Sequence, residues 1–552
     1  MRRTAAVVAS LAVSIAGLAT VQTATAAPAT HRPASHDHGY TPPPLKWGAC
    51  VDEDLQTVGA ECADLVVPLD YAHPRGRTIT VAVSRVVHSS PDADYQGPML
   101  VNPGGPGGSG LIYSIFGSPL VDILPGDVEQ TYDWIGFDPR GVGSSKPALT
   151  CRSDFFGYDR PNYVPRTRAI KRHWLRESAK YARSCATSSA RRLLPHLKTT
   201  DTVADLESLR KALGASKINF YGFSYGTTIG QTYATLHPSR IRRLVMDGVV
   251  DPSRTPYQSN LDQDVAFSRS IQRYFDWLAR YDSVFGLGTT RREVSSGYYR
   301  ELRKLDRSPA AGVIGPDELT DVMTSAGYYV YNWVEIGQAY AALVNEGDAS
   351  GVKALFDSAN PQDTPGSDNG YAIYLATQCT DAPWPQDLSK VFRDNWRYHS
   401  FAPFLTWSNA WFNGPCNFWP VKPARKFQVS GAGLGKHPIL LISETFDPAT
   451  PFSGALEARR RFKGARLIEG VGGTTHSGSL SGVACTDNAI AAYLTDGSVP
   501  PRLPGNRADL RCPPVPQPDP TASQAQSLRQ QSPGVDALQE RLRRALQRAQ
   551  LH

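Results

Sequence analysis

Residues Gly222-Phe223-Ser224-Tyr225-Gly226 constrain this chain more than any other stretch, because of what flanks them. Upstream, Ile218-Asn219-Phe220-Tyr221 is a short, mostly apolar run of the kind that forms a strand covered on both faces. Downstream, Thr227 to His237 reads as a helix that ends before Pro238. A G-x-S-x-G pattern is weak by itself in a chain with 47 glycines. Between a strand and a helix, it marks a sharp turn that raises a serine hydroxyl above the sheet. Small residues at 222 and 226 suit that turn, which crowds strand against helix. Ser224 is the expected nucleophile, and a serine in an ordinary turn is the weaker reading.

Other short apolar runs repeat the pattern. Met99-Leu100-Val101, Trp134–Phe137, Leu244-Val245-Met246, Ile439–Ile442 and Leu467-Ile468 all suit a parallel sheet buried on both faces. Thr202 to Leu213 sets Val203, Leu206, Leu209 and Leu213 on one helical face, with Gly214 at the C-cap position. Strands alternating with helices indicate an α/β sheet. Ahead of them, Ala63–Leu69 and Thr78–Val87 read as a half-buried antiparallel pair, the second with apolar Ile79, Val81 and Val83 at every other position. The alternation of strand and helix stops after Asp251-Pro252. Residues 256–430 are helical in pattern and rich in aromatics, as in Leu261 to Tyr281 and Leu319 to Val344, and strands resume at Pro438. The expected organisation is a sheet domain over 50–255 and 431–512, with a helical cap, 256–430, inserted between its parts.

The ends read differently. Arg2 and Arg3, an apolar run from Ala5 to Ala19 and Ala24-Thr25-Ala26 form a secretory signal peptide over residues 1–26. A membrane anchor is the weaker reading, since the run is short of the roughly 20 apolar residues of a spanning helix. The Sec route is favoured over twin-arginine export. Residues 27–49 read as a disordered leader. Residues 513–552 read as a Pro- and Gln-rich linker followed by a short amphipathic helix carrying Val535, Leu538, Leu542 and Leu546. With the signal removed, no membrane span is expected. The mature protein is expected to be extracellular, free or held at the cell wall, and to be a monomer.

Eight cysteines in an exported chain read as four disulfides. Each cysteine has its nearest neighbour within one local segment. The expected pairs are Cys50–Cys62, Cys151–Cys185, Cys379–Cys416 and Cys485–Cys512. No CxxC or Cys/His cluster has zinc spacing, so neither metal nor cofactor is expected. A net charge of +7, dispersed along 552 residues, gives no nucleic-acid footprint.

A serine needs a base. In the α/β-hydrolase fold the order along the chain is Ser, then Asp or Glu, then His. Of the histidines after Ser224, His552 ends the tail, His399 lies in the cap, and His437 would open a strand. His476, in the loop Gly472–Gly478 after the last apolar strand, remains. The acid is Asp447, just past Ile439–Ile442, with Glu444 as runner-up. An oxyanion hole takes two backbone N–H groups. Tyr225 supplies one, and the loop Asn102-Pro103-Gly104-Gly105-Pro106-Gly107-Gly108-Ser109-Gly110 supplies the other through Gly105, with Gly104 close behind. A phosphate-cradling loop is excluded because no GK[ST] follows.

Asn102–Gly110, Phe137-Asp138-Pro139-Arg140-Gly141-Val142-Gly143-Ser144-Ser145, Gly222–Thr227 and Asp447-Pro448-Ala449-Thr450-Pro451 together resemble the secreted tripeptidyl aminopeptidases of actinomycetes, in the proline iminopeptidase branch of α/β-hydrolases. The resemblance covers roughly residues 45–512. It implies an exopeptidase that removes short peptides, typically tripeptides, from free N-termini of peptides and proteins. It also implies Ser224, Asp447 and His476 as the triad, and a cap that binds the substrate's amino group through acidic residues, for which Asp381 and Glu335 are candidates. Two other readings stand beside it: an esterase or lipase on the same fold, and a non-catalytic secreted binding protein.

Overall fold

The computed structural model describes residues 39–522, apart from 159, 362, 363 and 365. The signal peptide, most of the leader and the C-terminal amphipathic helix lie outside the described residues.

Strands β1 (Gly48–Ala49), β2 (Glu61–Pro68), β3 (Thr78–Val86), β4 (Pro98–Asn102), β5 (Asp133–Phe137), β6 (Ile218–Phe223), β7 (Ile241–Asp247), β8 (Ile439–Glu444), β9 (Ala465–Gly470) and β10 (Leu510–Cys512) form one sheet. Their order is β1-β2-β3-β5-β4-β6-β7-β8-β9-β10. From β1 to β5 the pairings are antiparallel, and from β5 to β10 parallel. The parallel part follows from its residues, since β4, β6 and β8 are buried along their whole length. Successive side chains go to opposite faces. Leu100, Phe220 and Leu441 pack on one face with Val203 and Leu206, while Met99, Tyr221 and Leu440 pack on the other with Ile490 and Leu494.

Helices α1 (Arg168–Thr187), α2 (Thr199–Ala212) and α3 (Tyr225–Leu236) precede β7. Between β7 and β8 come α4 (Pro256–Arg280), α5 (Pro316–Tyr328), α6 (Trp333–Asn345), α7 (Asn369–Asp381), α8 (Leu388–His399) and α9 (Thr406–Phe412). Thr255 and Gln258 form a capping box that starts α4, with Pro256 at the first helical position. This helical layer has a core of its own, with Phe267, Ile271 and Trp277 of α4 against Leu319 and Met323 of α5 and Trp333 of α6.

Four features depart from the sequence reading. The helical stretch 319–344 is two helices, broken where Tyr329 turns extended at φ −136°. The cap is not continuous in the chain. α1, upstream of Ser224, stacks Trp174 on Trp411 of α9 at 5.9 Å between ring centroids and joins a cluster with Phe392 and Trp407. The end of the leader is packed, since Tyr40 donates to the Val66 carbonyl at 2.9 Å and β1 pairs with β2. The start of the tail is packed too, with Val515 buried. A proline-rich composition does not reveal such docking, because the partners lie far away in sequence.

All four disulfides join neighbouring cysteines, Cys50–Cys62, Cys151–Cys185, Cys379–Cys416 and Cys485–Cys512. Among the described residues no helix is long and apolar enough to cross a membrane.

Candidate active site

Ser224 occupies the turn from β6 into α3 at φ 53° and ψ −124°, a backbone state that costs a non-glycine residue and persists only where neighbours enforce it. Its N–H donates to the Asp247 carbonyl at the end of β7, at 2.8 Å. A Cβ on Gly222 would stand 2.6 Å from the Gly226 carbonyl oxygen, and one on Gly226 2.5 Å from that of Asn102. Both positions therefore exclude a side chain.

His476 and Asp447 are buried side by side. His476 Nδ1 lies 2.9 Å from Asp447 Oδ2 and 3.0 Å from Oδ1. The carboxylate is fixed from its other side: Oδ1 accepts the N–H groups of Ala449 and Thr450 at 2.9 and 2.8 Å, and Oδ2 accepts the Thr450 hydroxyl at 2.8 Å. An anion at Nδ1 sets the tautomer with its proton there and leaves Nε2 to accept one. The Asp247 carbonyl that receives Ser224 also receives the Ser477 hydroxyl at 3.5 Å, so one backbone oxygen spans the nucleophile turn and the histidine loop.

Glu444 is not the histidine's partner. Its carboxylate accepts the N–H groups of Thr475 at 2.6 Å and Val515 at 2.7 Å, and burial raises its pKa to about 8. Asp247 is also buried, and desolvation lifts it to about 6 although Ser479 donates to it through N–H at 2.8 Å and hydroxyl at 2.6 Å.

The glycine loop lies directly against the nucleophile turn. A Cβ on Gly104, whose φ is +100°, would stand 2.6 Å from the Phe223 carbonyl oxygen and 2.8 Å from the Tyr225 nitrogen. The Gly104 N–H is committed to Asn102 Oδ1 at 3.0 Å, which favours Gly105 as the loop's oxyanion donor. Tyr225 opens α3, where the first amides of a helix have no intrahelical acceptor. Asp138 anchors this loop, and Asn369 anchors the 141–149 segment that Asp138 ties to it. Buried Asp138 accepts the Ser109 hydroxyl at 2.5 Å, the Gly110 N–H at 3.0 Å and the Ser144 N–H at 2.7 Å. From the cap, Asn369 donates to the Gly141 and Leu149 carbonyls and accepts the Gly143 N–H, each at 2.8 Å.

Ser224, Tyr225, Gly105 and His476 line one cavity of about 760 Å³, roofed by cap aromatics including Tyr328, Tyr371, Tyr374 and Phe412. Asp381, at the end of α7, lines it as well. Its carboxylate accepts the Thr199 N–H at 2.8 Å and hydroxyl at 2.5 Å, and the same hydroxyl meets the Tyr225 phenol at 2.6 Å. Burial raises Asp381 to about 6 against the pull of nearby Lys198, whose ammonium is paired with Asp201 at 2.6 Å. Glu335 is a correction. Trp333, Ile336 and Tyr340 take the inward face of α6, which leaves Glu335 exposed on the outside and away from the cavity.

Sequence reasoning missed Thr450, Asn369 and the Tyr328 carbonyl, which accepts the His476 N–H at 2.9 Å. Only Thr450 had a local signal, as a hydroxyl three residues after an aspartate in a proline-bounded turn.

The sequence pattern described as the alpha/beta hydrolase fold matches residues 97–326, and that described as TAP-like protein matches residues 402–512. A tripeptidyl aminopeptidase of Streptomyces coelicolor is 38% identical over 485 residues, 86% of this chain and 87% of that protein. The chain belongs to the tripeptidyl aminopeptidase family of α/β-hydrolases. Serine protease Hip1 of Mycobacterium tuberculosis is 31% identical over 83% of this chain and 90% of that protein. Carboxylesterase B of the same species is 30% identical over 86% and 90%. Ser224 falls in the first matched stretch of this family member, and Asp447 and His476 in the second.

Proposed function

We propose that the protein is an exported serine exopeptidase that removes short peptides, tripeptides above all, from free N-termini. Ser224 attacks the scissile carbonyl while His476 takes its proton, and Asp447 stabilises the imidazolium. The N–H groups of Gly105 and Tyr225 receive the developing oxyanion. His476 then protonates the departing amine, and water, deprotonated by the same ring, releases the acyl group from Ser224.

The observation that carries this reading is the cavity. Its volume of about 760 Å³ is of small-ligand size, and its wall holds a desolvated carboxylate, Asp381, whose neighbouring cation Lys198 is paired with Asp201 instead. A chain terminus carrying an ammonium group suits that carboxylate. The same triad also serves esters, and the likeness to carboxylesterase B keeps an esterase as the second reading.

Free and N-acetylated tripeptidyl p-nitroanilides, with p-nitrophenyl esters alongside, separate the two. The free peptide is cleaved and the acetylated one is not. Equal turnover of both peptides, or turnover of esters alone, would discard the exopeptidase reading. Ser224→Ala lowers kcat on the order of 10⁶-fold, the scale of comparable serine-protease knock-outs.

A further inference from the structure

Glu444 is a carboxylate for which the acid–base chemistry has no use. It ends β8, three residues before Asp447, and is 4% exposed. The space around it is shaped by glycines. A Cβ on Gly473 would lie 2.3 Å from its carboxylate, and Cβ atoms on Gly470 and Gly478 would lie 3.0 and 3.4 Å from its Cγ.

Its two oxygens serve two separate segments. Oε2 accepts the N–H of Thr475, the residue before His476, at 2.6 Å, and Oε1 accepts the N–H of Val515, beyond the last disulfide, at 2.7 Å. The Val515 segment is fastened at both ends. Below, the Val471 N–H donates to the Cys512 carbonyl at 3.0 Å, and Cys512 is disulfide-bonded to Cys485. Above, Trp277 of α4 donates its ring N–H to the Pro518 carbonyl at 2.9 Å, and Arg280 reaches Gln517 at 3.2 Å. Val515 itself is buried in the hydrophobic core of the cap. The histidine loop, Gly472-Gly473-Thr474-Thr475-His476-Ser477-Gly478, has three glycines and little stiffness of its own.

We propose that Glu444 is a positioning residue for His476. Its carboxylate clamps the histidine loop to residues 513–518, so the placement of the catalytic base depends on a strap of chain that also grips the cap. This rests on His476 being the base of the proposed mechanism.

The test uses the full chain with Glu444→Gln and Val515→Pro. A glutamine amide must turn its NH2 toward one of the two N–H donors, and proline removes the Val515 donor. The readouts are kcat and KM on a tripeptidyl anilide, normalised to active sites by fluorophosphonate labelling carried to completion, together with the initial rate of that labelling. Glu444→Gln should lower kcat and the labelling rate by about 10- to 100-fold, the scale of a small misplacement of a catalytic group, with KM within about twofold of wild type. Val515→Pro should show the same split to a smaller extent. A kcat per labelled Ser224 within about twofold of wild type in Glu444→Gln would overturn the proposal, whatever the fraction folded. So would a change confined to KM. The triad reading fails on a different result, full turnover by His476→Ala, so the two failures are distinguishable.

Discussion

Asp247, Glu444 and Asp447 stand around His476 as three buried carboxylates, and each already has different donors. Asp247 is taken by Ser479, and Glu444 by Thr475 and Val515. Asp447 keeps both oxygens within 3.0 Å of the histidine ring while Ala449 and Thr450 hold it from behind. Asp447→Asn keeps the shape and presents the wrong hydrogen-bonding group, so kcat should fall about 10⁴-fold with little change in fold, measured by kinetics and circular dichroism. Gly104→Ala asks a side chain to occupy a point 2.6 Å from the Phe223 carbonyl oxygen at φ +100°. It should abolish fluorophosphonate labelling, because the loop must leave the nucleophile turn. At this scale the pairing of Asp447 with His476 was legible because chain order prunes histidines and aspartates to one of each. The job of Glu444 was not legible, since both of its partners are backbone N–H groups and a backbone donor leaves no trace in residue identity.

The elements carry a pH dependence of their own. Asp264 of α4 is 1% exposed, accepts Asn409 of α9 at 2.9 Å, and is raised to about 8 by burial, with the like charge of Asp262 adding to it. Its native pKa is above its unfolded value, so the native state holds a proton that the unfolded chain releases. Its contribution to stability is greatest below about pH 4 and is lost progressively as pH rises to about 8. Asp264→Asn should therefore raise the melting temperature at pH 8, with the gain shrinking toward pH 4. The break between α5 and α6 escaped the periodicity because apolar residues continue through it. Tyr329 turns extended there, and the carbonyl of Tyr328 meets the His476 N–H. The surrounding structure, not local propensity, sets that break. Replacing Cys485 and Cys512 with serine opens a loop with a sequence separation of 27, which should cost about 3–4 kcal/mol in denaturant unfolding by the chain-entropy relation.

Across the whole molecule, the sheet positions Ser224 and the helical layer contributes the aromatics that line the cavity beside it. The parallel strands were legible because full burial leaves uninterrupted apolar runs. The extent of the cap was not, because α1 joins it from before Ser224 through contacts such as Trp174 on Trp411. If Asp381 receives the substrate ammonium, Asp381→Asn should raise KM for a free tripeptidyl anilide about tenfold and leave ester hydrolysis unchanged. Asp381 is ionised only above about pH 6. The rise in kcat/KM for free N-termini through that pH should therefore include a limb that esters and the variant lack.

The disulfides have a consequence for how such a molecule is made. The cysteines pair off in chain order, first with second, third with fourth and so on, at separations of 12, 34, 37 and 27 residues. A chain emerging N-terminus first therefore completes each ring before the first thiol of the following ring appears. Vectorial oxidation alone yields the native connectivity out of 105 arrangements, and no ring has to reopen to admit a later partner.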